Sequence, residues 1–265
     1  MKKVIFLVRK EWSEVFKNKL IIFTVAFLPL IFAAIPLGML YAMRGSTDLA
    51  GVQNEFGPAI QQLRYLCGTL TEFECTQFLV LQQFMILFLM MPAIIPITIA
   101  AYSIVGEKTA HTLEPLLATP ITTAQLLAGK ALAAAIPAFL ASLAAFIIFA
   151  VGTATLASSP AVALRLLSPL WLLGIFVVGP LLSLTGVNVA IMISSRVNDP
   201  RVAEQLSALI ILPVMAVFMG QMFGAVIINQ NFLLLIAGGL LVLDVALLFF
   251  ATQLFQRETI LTRWK

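Results

Sequence analysis

The chain has 265 residues, of which 61% are apolar and 11% are charged, and its net charge is +4. A soluble globular protein carries about 25% charged residues, so 16 basic and 12 acidic side chains cannot cover a soluble domain of this size. The composition excludes a soluble enzyme, a disordered chain and a nucleic-acid binder, and it predicts an all-α membrane protein with one transmembrane domain over 1–265.

The segment 1–19 is amphipathic. Six of its residues are basic, and apolar residues recur at steps of three and four: Val4, Ile5, Val8, Trp12, Val15 and Phe16. This pattern predicts a helix that lies flat in the headgroup layer of the bilayer. The alternative is an ordinary cytosolic tail whose charges only orient the first span.

Six stretches of roughly the 20 residues needed to cross a bilayer follow. They are 20–41, 78–104, 131–151, 169–193, 207–228 and 232–254. Five of them contain no charged residue, and the sixth contains only Asp244. Prolines and glycines inside several spans, such as Pro92, Gly179 and Pro213, predict kinks.

Basic residues are distributed unevenly around these spans. The two tails and the segments 105–130 and 194–206 hold 13 of the 16 lysines and arginines. Because cytoplasmic loops are enriched in positive charge, both termini are predicted to face the cytoplasm, which makes 42–77 an extracellular loop. Its cysteines, Cys67 and Cys75, are either a disulfide or two free thiols, and an oxidising exterior favours the disulfide.

The chain lacks the residues for catalysis or nucleotide binding. With a single histidine, His111, a histidine-based metal cluster or a Ser/His/Asp triad is hard to assemble, so we predict no catalytic residue and no metal site. The longest stretch outside the spans, 42–77, is far shorter than a nucleotide-binding domain. If the protein uses ATP, a separate chain must bind it.

The segment 105–130 joins the second and third spans. Leu113, Leu116 and Leu117 share one face of a helical turn that ends at Thr119-Pro120. Thr122 and Gln125 have the spacing of a capping box for the next helix. An exposed leucine surface fits a docking site for a partner protein, and it equally fits a helix pair that rests on the inner leaflet.

The same segment resembles the cytoplasmic loop of the ABC-2 family of ABC transporter permeases. The residues that match the family's pattern are Glu107, Thr112, Leu113, Glu114, Leu116, Leu117, Thr119, Pro120, Gly129 and Lys130, whereas His111 stands where the family usually has glycine. A second segment, 194–213, is similar to sodium- and drug-exporting members of that family.

The resemblance implies a fold, partners and a mechanism. The fold is that of an ABC-2 (type V exporter-like) permease, with six transmembrane helices, an N-terminal interfacial helix and a short cytoplasmic coupling helix. Two permeases, identical or different, would pair in the inner or plasma membrane above two copies of a separate ATPase, which would bind ATP and Mg²⁺. The matching residues from Glu107 to Pro120 would couple to the ATPase, and the complex would export an ion, drug, lipid or other small molecule. No cofactor is expected on this chain.

Three polar residues inside the spans, Asn188, Gln221 and Asp244, are candidates for a substrate pathway. An intramembrane carboxylate usually faces the bundle interior or a wet cavity. Asp244 is interpreted either as a packing contact with another span or as a functional residue, namely a cation or proton site or an anchor for a cationic substrate. The second interpretation carries the alternative function of an ion-coupled secondary transporter.

Overall fold

The computed structural model describes residues 2–45, 67–109 and 121–254. Over these residues the chain is built from helices, without a strand. Within the same residues, six helical segments are long and apolar enough to cross a membrane. The predicted all-α class with six spans is therefore confirmed.

The first half of the chain contains three spans. Helix α1 is Lys2–Val15, and α2, Lys19–Gly45, is the first span. The second span consists of α3, Glu72–Gln83, and α4, Met85–Thr109. Helix α5, Thr123–Leu156, is the third span, and the short helix α6, Pro160–Arg165, follows it.

The second half contains three more spans, two of them interrupted. The fourth span consists of α7, Pro169–Leu173, a π-helical turn, Gly174–Val178, and α8, Gly179–Ser194. The fifth consists of α9, Pro200–Ser207, a 3₁₀ turn, Ala208–Ile210, and α10, Ile211–Met222, and the sixth is α11, Gln230–Leu254. The widened turn precedes Pro180, whose nitrogen cannot donate the next helical hydrogen bond.

Several helices extend beyond the charge-free stretches that predict them. The second span starts at Glu72 because Thr71 and Glu74 form a capping box, in which the Glu74 amide donates to Thr71 Oγ1 at 3.4 Å and the Thr71 amide to Glu74 Oε2 at 2.8 Å. The third span starts at Thr123 because Thr122 and Gln125 form the second capping box. A charge-free window marks the membrane core of a helix, and the caps mark its ends.

The second span lies at the centre of the bundle. In its most apolar stretch 89% of the residues are buried, whereas the corresponding shares in the fifth and sixth spans are 11% and 17%. Their outward side chains are large and apolar, for example Leu212, Leu235 and Phe249. An apolar surface of this extent requires lipid or another apolar surface against it.

The fourth span packs closely along the second. A Cβ atom built on Gly186 would lie 2.8 Å from the carbonyl oxygen of Ala93, which is too short for a real contact. The absent side chain thus lets the two backbones approach, as small residues do at many membrane helix contacts. This contact fixes the fourth span against the central helix.

The end of the bundle opposite α1, which we call the disulfide end, is cross-linked. Cys67 and Cys75 form a disulfide with a Cα–Cα distance of 5.3 Å. Arg165 donates a hydrogen bond from Nη2 to the Cys67 carbonyl at 2.9 Å. Gln77 Oε1 accepts hydrogen bonds from the amide and the hydroxyl of Ser158 at 3.0 and 2.7 Å. These contacts fix the start of the second span to the connection between the third and fourth spans.

Candidate functional site

Three elements meet at the other end of the bundle, which we call the α1 end. Helix α1 packs there against the last turns of α4 and the first turns of α5. Trp12 donates from Nε1 to the carbonyl of Ala133 at 2.9 Å. The side chain of Leu7 lies directly over Gly129 and leaves no room there for a Cβ atom. The N-terminal helix is therefore seated on the bundle by direct side-chain contacts.

A buried network of charges joins these three elements. Lys130 Nζ on α5 lies 2.8 Å from Glu11 Oε1 on α1 and 2.7 Å from Glu107 Oε2 on α4. It also donates to Ser103 Oγ at 2.8 Å, and Ser103 in turn donates to the carboxylate of Glu11. Lys10 Nζ lies 2.6 Å from Glu107 Oε1. We call Lys10, Glu11, Ser103, Glu107 and Lys130 the charge cluster.

The charge cluster is balanced and mostly shielded from water. The side chains of Lys130 and Glu11 are 2% exposed, and that of Glu107 is 5% exposed. The cluster contains two carboxylates and two ammonium groups, so no net charge is left buried. Removing one partner from such a pair is strongly destabilising, because the other charge remains in a medium of low polarity.

Lys10 lies at the wetter edge of the cluster. Burial acts to lower the pKa of Lys10, but its hydrogen bond to Glu107 and the charges of Glu107, Glu11 and Glu14 outweigh that effect. The pKa of Lys10 is therefore raised above its usual value. Lys10 therefore stays protonated at neutral pH. It pairs with Oε1 of Glu107, while Lys130 pairs with Oε2 of the same carboxylate.

The charge cluster brackets the loop between the second and third spans. Helix α4 ends at Thr109 and α5 begins at Thr123, with Glu107 and Lys130 close to these ends. Of the predicted coupling residues, the structure describes Glu107. The others lie outside the described residues: Thr112, Leu113, Glu114, Leu116, Leu117, Thr119 and Pro120.

The end of α4 also contacts the connection between the fourth and fifth spans. Lys108 Nζ donates to the carbonyls of Ser195 and Val197, both at 3.3 Å. One to three turns earlier, Ala101 and Val105 pack against Ala203 of α9, and Thr98 donates to Glu204 Oε1 at 2.5 Å. The end of α4 is therefore in contact with α1, α5, α9 and the connection between the fourth and fifth spans.

The three polar residues predicted for the membrane interior fall into two groups. Asp244 on α11 faces Asn188 and Thr185 on α8. Gln221 belongs elsewhere, since its Nε2 lies 3.5 Å from the carbonyl oxygen of Gln82. The structure thus brings Asn188 and Asp244 together and separates Gln221 from them.

Sequence reasoning missed two parts of these sites. Glu11 was not singled out in the sequence, yet it is buried in the charge cluster. Gln82, inside the predicted second span, accepts a hydrogen bond from Trp171 Nε1 at 2.8 Å. The available signal for Gln82 was an amide inside an otherwise apolar stretch. For metal binding, no group of three or more His, Cys, Asp or Glu side chains is close enough within 2–45, 67–109 and 121–254.

Comparison with known proteins identifies one family. The sequence profile described as "ABC-2 family transporter protein" matches residues 5–258. The match covers all six spans, the charge cluster and the loop between the second and third spans. No curated protein gives a significant match to the chain.

Proposed function

The chain belongs to the ABC-2 family of transporter proteins, and from this premise we propose that it is the permease subunit of an ATP-driven exporter. A permease of this family is a membrane transport subunit that associates with an ABC ATPase. In our proposal two copies of a separate ATPase bind ATP and Mg²⁺, and a second permease, identical or different, completes the pathway. The complex moves an ion, drug, lipid or other small molecule out of the cell.

The charge cluster is the observation that carries this proposal. The predicted coupling residues 112–120 connect two helix ends that Glu107 and Lys130 hold together at 2.7 Å. Closure of the ATPase pair pushes on these residues, and the push reaches α4 and α5 at once. Because Lys130 also binds Glu11, helix α1 follows the same movement. The ATPase thereby acts on three elements through one contact.

The proposed orientation places the α1 end in the cytoplasm and the disulfide end outside the cell, in the inner or plasma membrane. The excess of basic residues in the tails and in 105–130 and 194–206 supports it. So does the disulfide at the opposite end, because disulfides persist on the oxidising side of a cell membrane.

The test of coupling is a double substitution in the leucine surface. Leu116→Glu with Leu117→Glu places two charges where the proposal needs an apolar contact with the ATPase. Anchor residues of an interface contribute roughly 2 kcal/mol or more, so the affinity for the ATPase should fall by roughly tenfold or more. Co-purification with the ATPase and transport-linked ATP hydrolysis by the reconstituted complex are the measurements.

The matched control is Leu164→Glu with Leu167→Glu, two exposed leucines at the disulfide end. This pair should leave ATPase binding and hydrolysis as in the wild type. If the Leu116 and Leu117 variant keeps both the ATPase and its stimulated hydrolysis, the proposed docking surface is wrong.

A further inference from the structure

The sixth span carries a carboxylate inside the bundle. Asp244 is 5% exposed and faces Thr185 and Asn188. Both residues lie close enough to interact with the carboxylate, but the Thr185 hydroxyl donates to the Leu181 carbonyl at 2.9 Å. Among the described residues, no hydrogen bond of good geometry reaches either carboxylate oxygen or Asn188 Nδ2. The ion pairs of the same residues do not include Asp244. A buried carboxylate in this state is costly unless a cation or a hydrogen-bond donor reaches it.

An apolar cavity of about 230 Å³ lies beside Thr185, one of the two residues that Asp244 faces. Its walls come from the second, fourth, fifth and sixth spans and one side is open, and of its described lining residues Thr185 is the one with a polar side chain. Thr185 therefore both lines the cavity and faces Asp244. Leu240 and Leu243, which lie next to Asp244 along α11, form part of the cavity wall.

The apolar cavity and the Asp244 carboxylate suit the two parts of an amphipathic ligand. The cavity suits a hydrocarbon body, because burial of apolar surface is favourable and its wall offers almost no polar group. The carboxylate suits a positive group with N–H donors, since charge-assisted hydrogen bonds are the strongest that it can accept. A small divalent cation fits poorly, because it takes about six oxygen ligands. Only three side chains near this site, those of Asp244, Asn188 and Thr185, carry an oxygen atom that could bind it.

We propose that this cavity and Asp244 form a binding site for an amphipathic organic cation, with its apolar body in the cavity and its protonated amine paired with Asp244. The assignment of this ligand class as the exporter's substrate rests on the proposed function. Binding itself does not, because every residue of the site belongs to this chain.

The experiment measures binding to the purified chain in lipid nanodiscs, without ATPase. The probes are radiolabelled 4-phenylbutylammonium and its neutral counterpart 4-phenyl-1-butanol at pH 7, with empty nanodiscs as the background for partition into lipid. The wild type should bind the ammonium probe saturably and more tightly than the alcohol. Asp244→Asn should weaken ammonium binding by roughly tenfold or more and leave the alcohol unchanged.

Two further variants separate the cavity from the charge. Val217→Trp fills the cavity from the fifth span and should weaken binding of both probes. Val245→Asn adds an amide to the exposed side of α11, next to Asp244, and should change neither. If Val217→Trp fails to fold, the comparison of Asp244→Asn with the wild type still decides the question.

The proposal is overturned if the wild type binds both probes equally, if binding does not exceed that of empty nanodiscs, or if Asp244→Asn binds the ammonium probe as the wild type does. None of these outcomes bears on coupling to the ATPase, which the leucine variants test separately. Conversely, normal binding by a chain that fails to couple would leave this site in place and remove only the exporter assignment.

Discussion

Lys130 is the residue on which the α1 end depends most. A lysine at the end of a membrane span ordinarily marks the water boundary. Here its side chain is 2% exposed and contacts Glu11, Glu107 and Ser103, which come from two other helices. Its role is therefore to neutralise two buried carboxylates and to hold three elements together.

Lys130→Met should destabilise the protein markedly. The substitution keeps the apolar stem of the side chain but leaves the buried carboxylate of Glu11 without a cation. The expected loss is about 3–5 kcal/mol in the free energy of unfolding, measured by denaturant unfolding in detergent micelles. Lys17→Met, at an exposed position just after α1, should change it by about 0.5 kcal/mol or less.

The pairing can be separated from the packing by a second variant. Adding Glu11→Met to Lys130→Met removes the orphaned carboxylate, while Glu107 stays paired with Lys10. This double variant should be more stable than Lys130→Met alone. If the double variant loses as much free energy of unfolding as Lys130→Met or more, Lys130 stabilises the protein by packing and not by neutralising Glu11.

Part of this cluster could be predicted from the sequence and part could not. Glu107 and Lys130 match the loop pattern of the ABC-2 family, so the sequence singled out both residues, although it did not predict that they form an ion pair. Glu11 was not singled out, because hydrophobic periodicity places it among charged neighbours on a short helix, and its partner Lys130 is 119 residues away. A pairing between distant residues leaves no trace in a local pattern.

At the scale of elements, the second and fourth spans are packed backbone against backbone. Gly186 lies against the backbone of Ala93, and a backbone atom cannot move aside as the tip of a long side chain can. The π-helical turn Gly174–Val178 lies in the same span. The fourth span thus combines a fixed contact with a local irregularity in its helix.

Gly186→Ala should separate these two helices. The added methyl group would lie 2.8 Å from the Ala93 oxygen, and overpacking of this kind costs about 1–3 kcal/mol. The midpoint of thermal unfolding should fall accordingly. Gly239→Ala in the sixth span is the matched control, since nothing lies within 4 Å of its added Cβ atom. There the change should be neutral or should stabilise by up to about 1 kcal/mol. Equal midpoints for both variants would rule out the close contact.

The elements themselves were largely predictable, because a run of about 20 apolar residues has few alternatives to a membrane helix. Their ends were less so. The helix start at Glu72 depends on a capping box that lies among charged residues outside the apolar run. That Asp244 lies near Asn188 and not near Gln221 depends on which helices are neighbours, and composition does not determine that.

At the scale of the whole molecule, the two ends of the bundle differ in chemistry. The α1 end contains buried ion pairs, and the disulfide end contains a covalent bond and hydrogen bonds to main-chain carbonyls. Between them, the fifth and sixth spans have few fully buried residues and carry many exposed apolar side chains. That surface is available to lipid or to the second permease of the proposed complex.

The proposed orientation can be checked in intact cells. After reduction with a membrane-impermeant phosphine, Cys67 and Cys75 should react with an impermeant maleimide from outside. In a Cys67→Ser, Cys75→Ser background, Lys17→Cys should react only after the cells are permeabilised. The reverse pattern of labelling, read by gel shift, would place the α1 end outside and remove the basis for ATPase coupling.

The distance along the chain between Glu11 and Lys130 also has a consequence for biosynthesis. The ribosome delivers the N-terminal helix first, and the cation that neutralises its carboxylate arrives 119 residues later. Until the third span has been inserted, Glu11 has no Lys130 to pair with, so α1 must wait in the water or at the headgroups. Seating of this helix is therefore a late event in membrane insertion, and nascent chains released before Lys130 emerges should keep their N-terminus open to proteases.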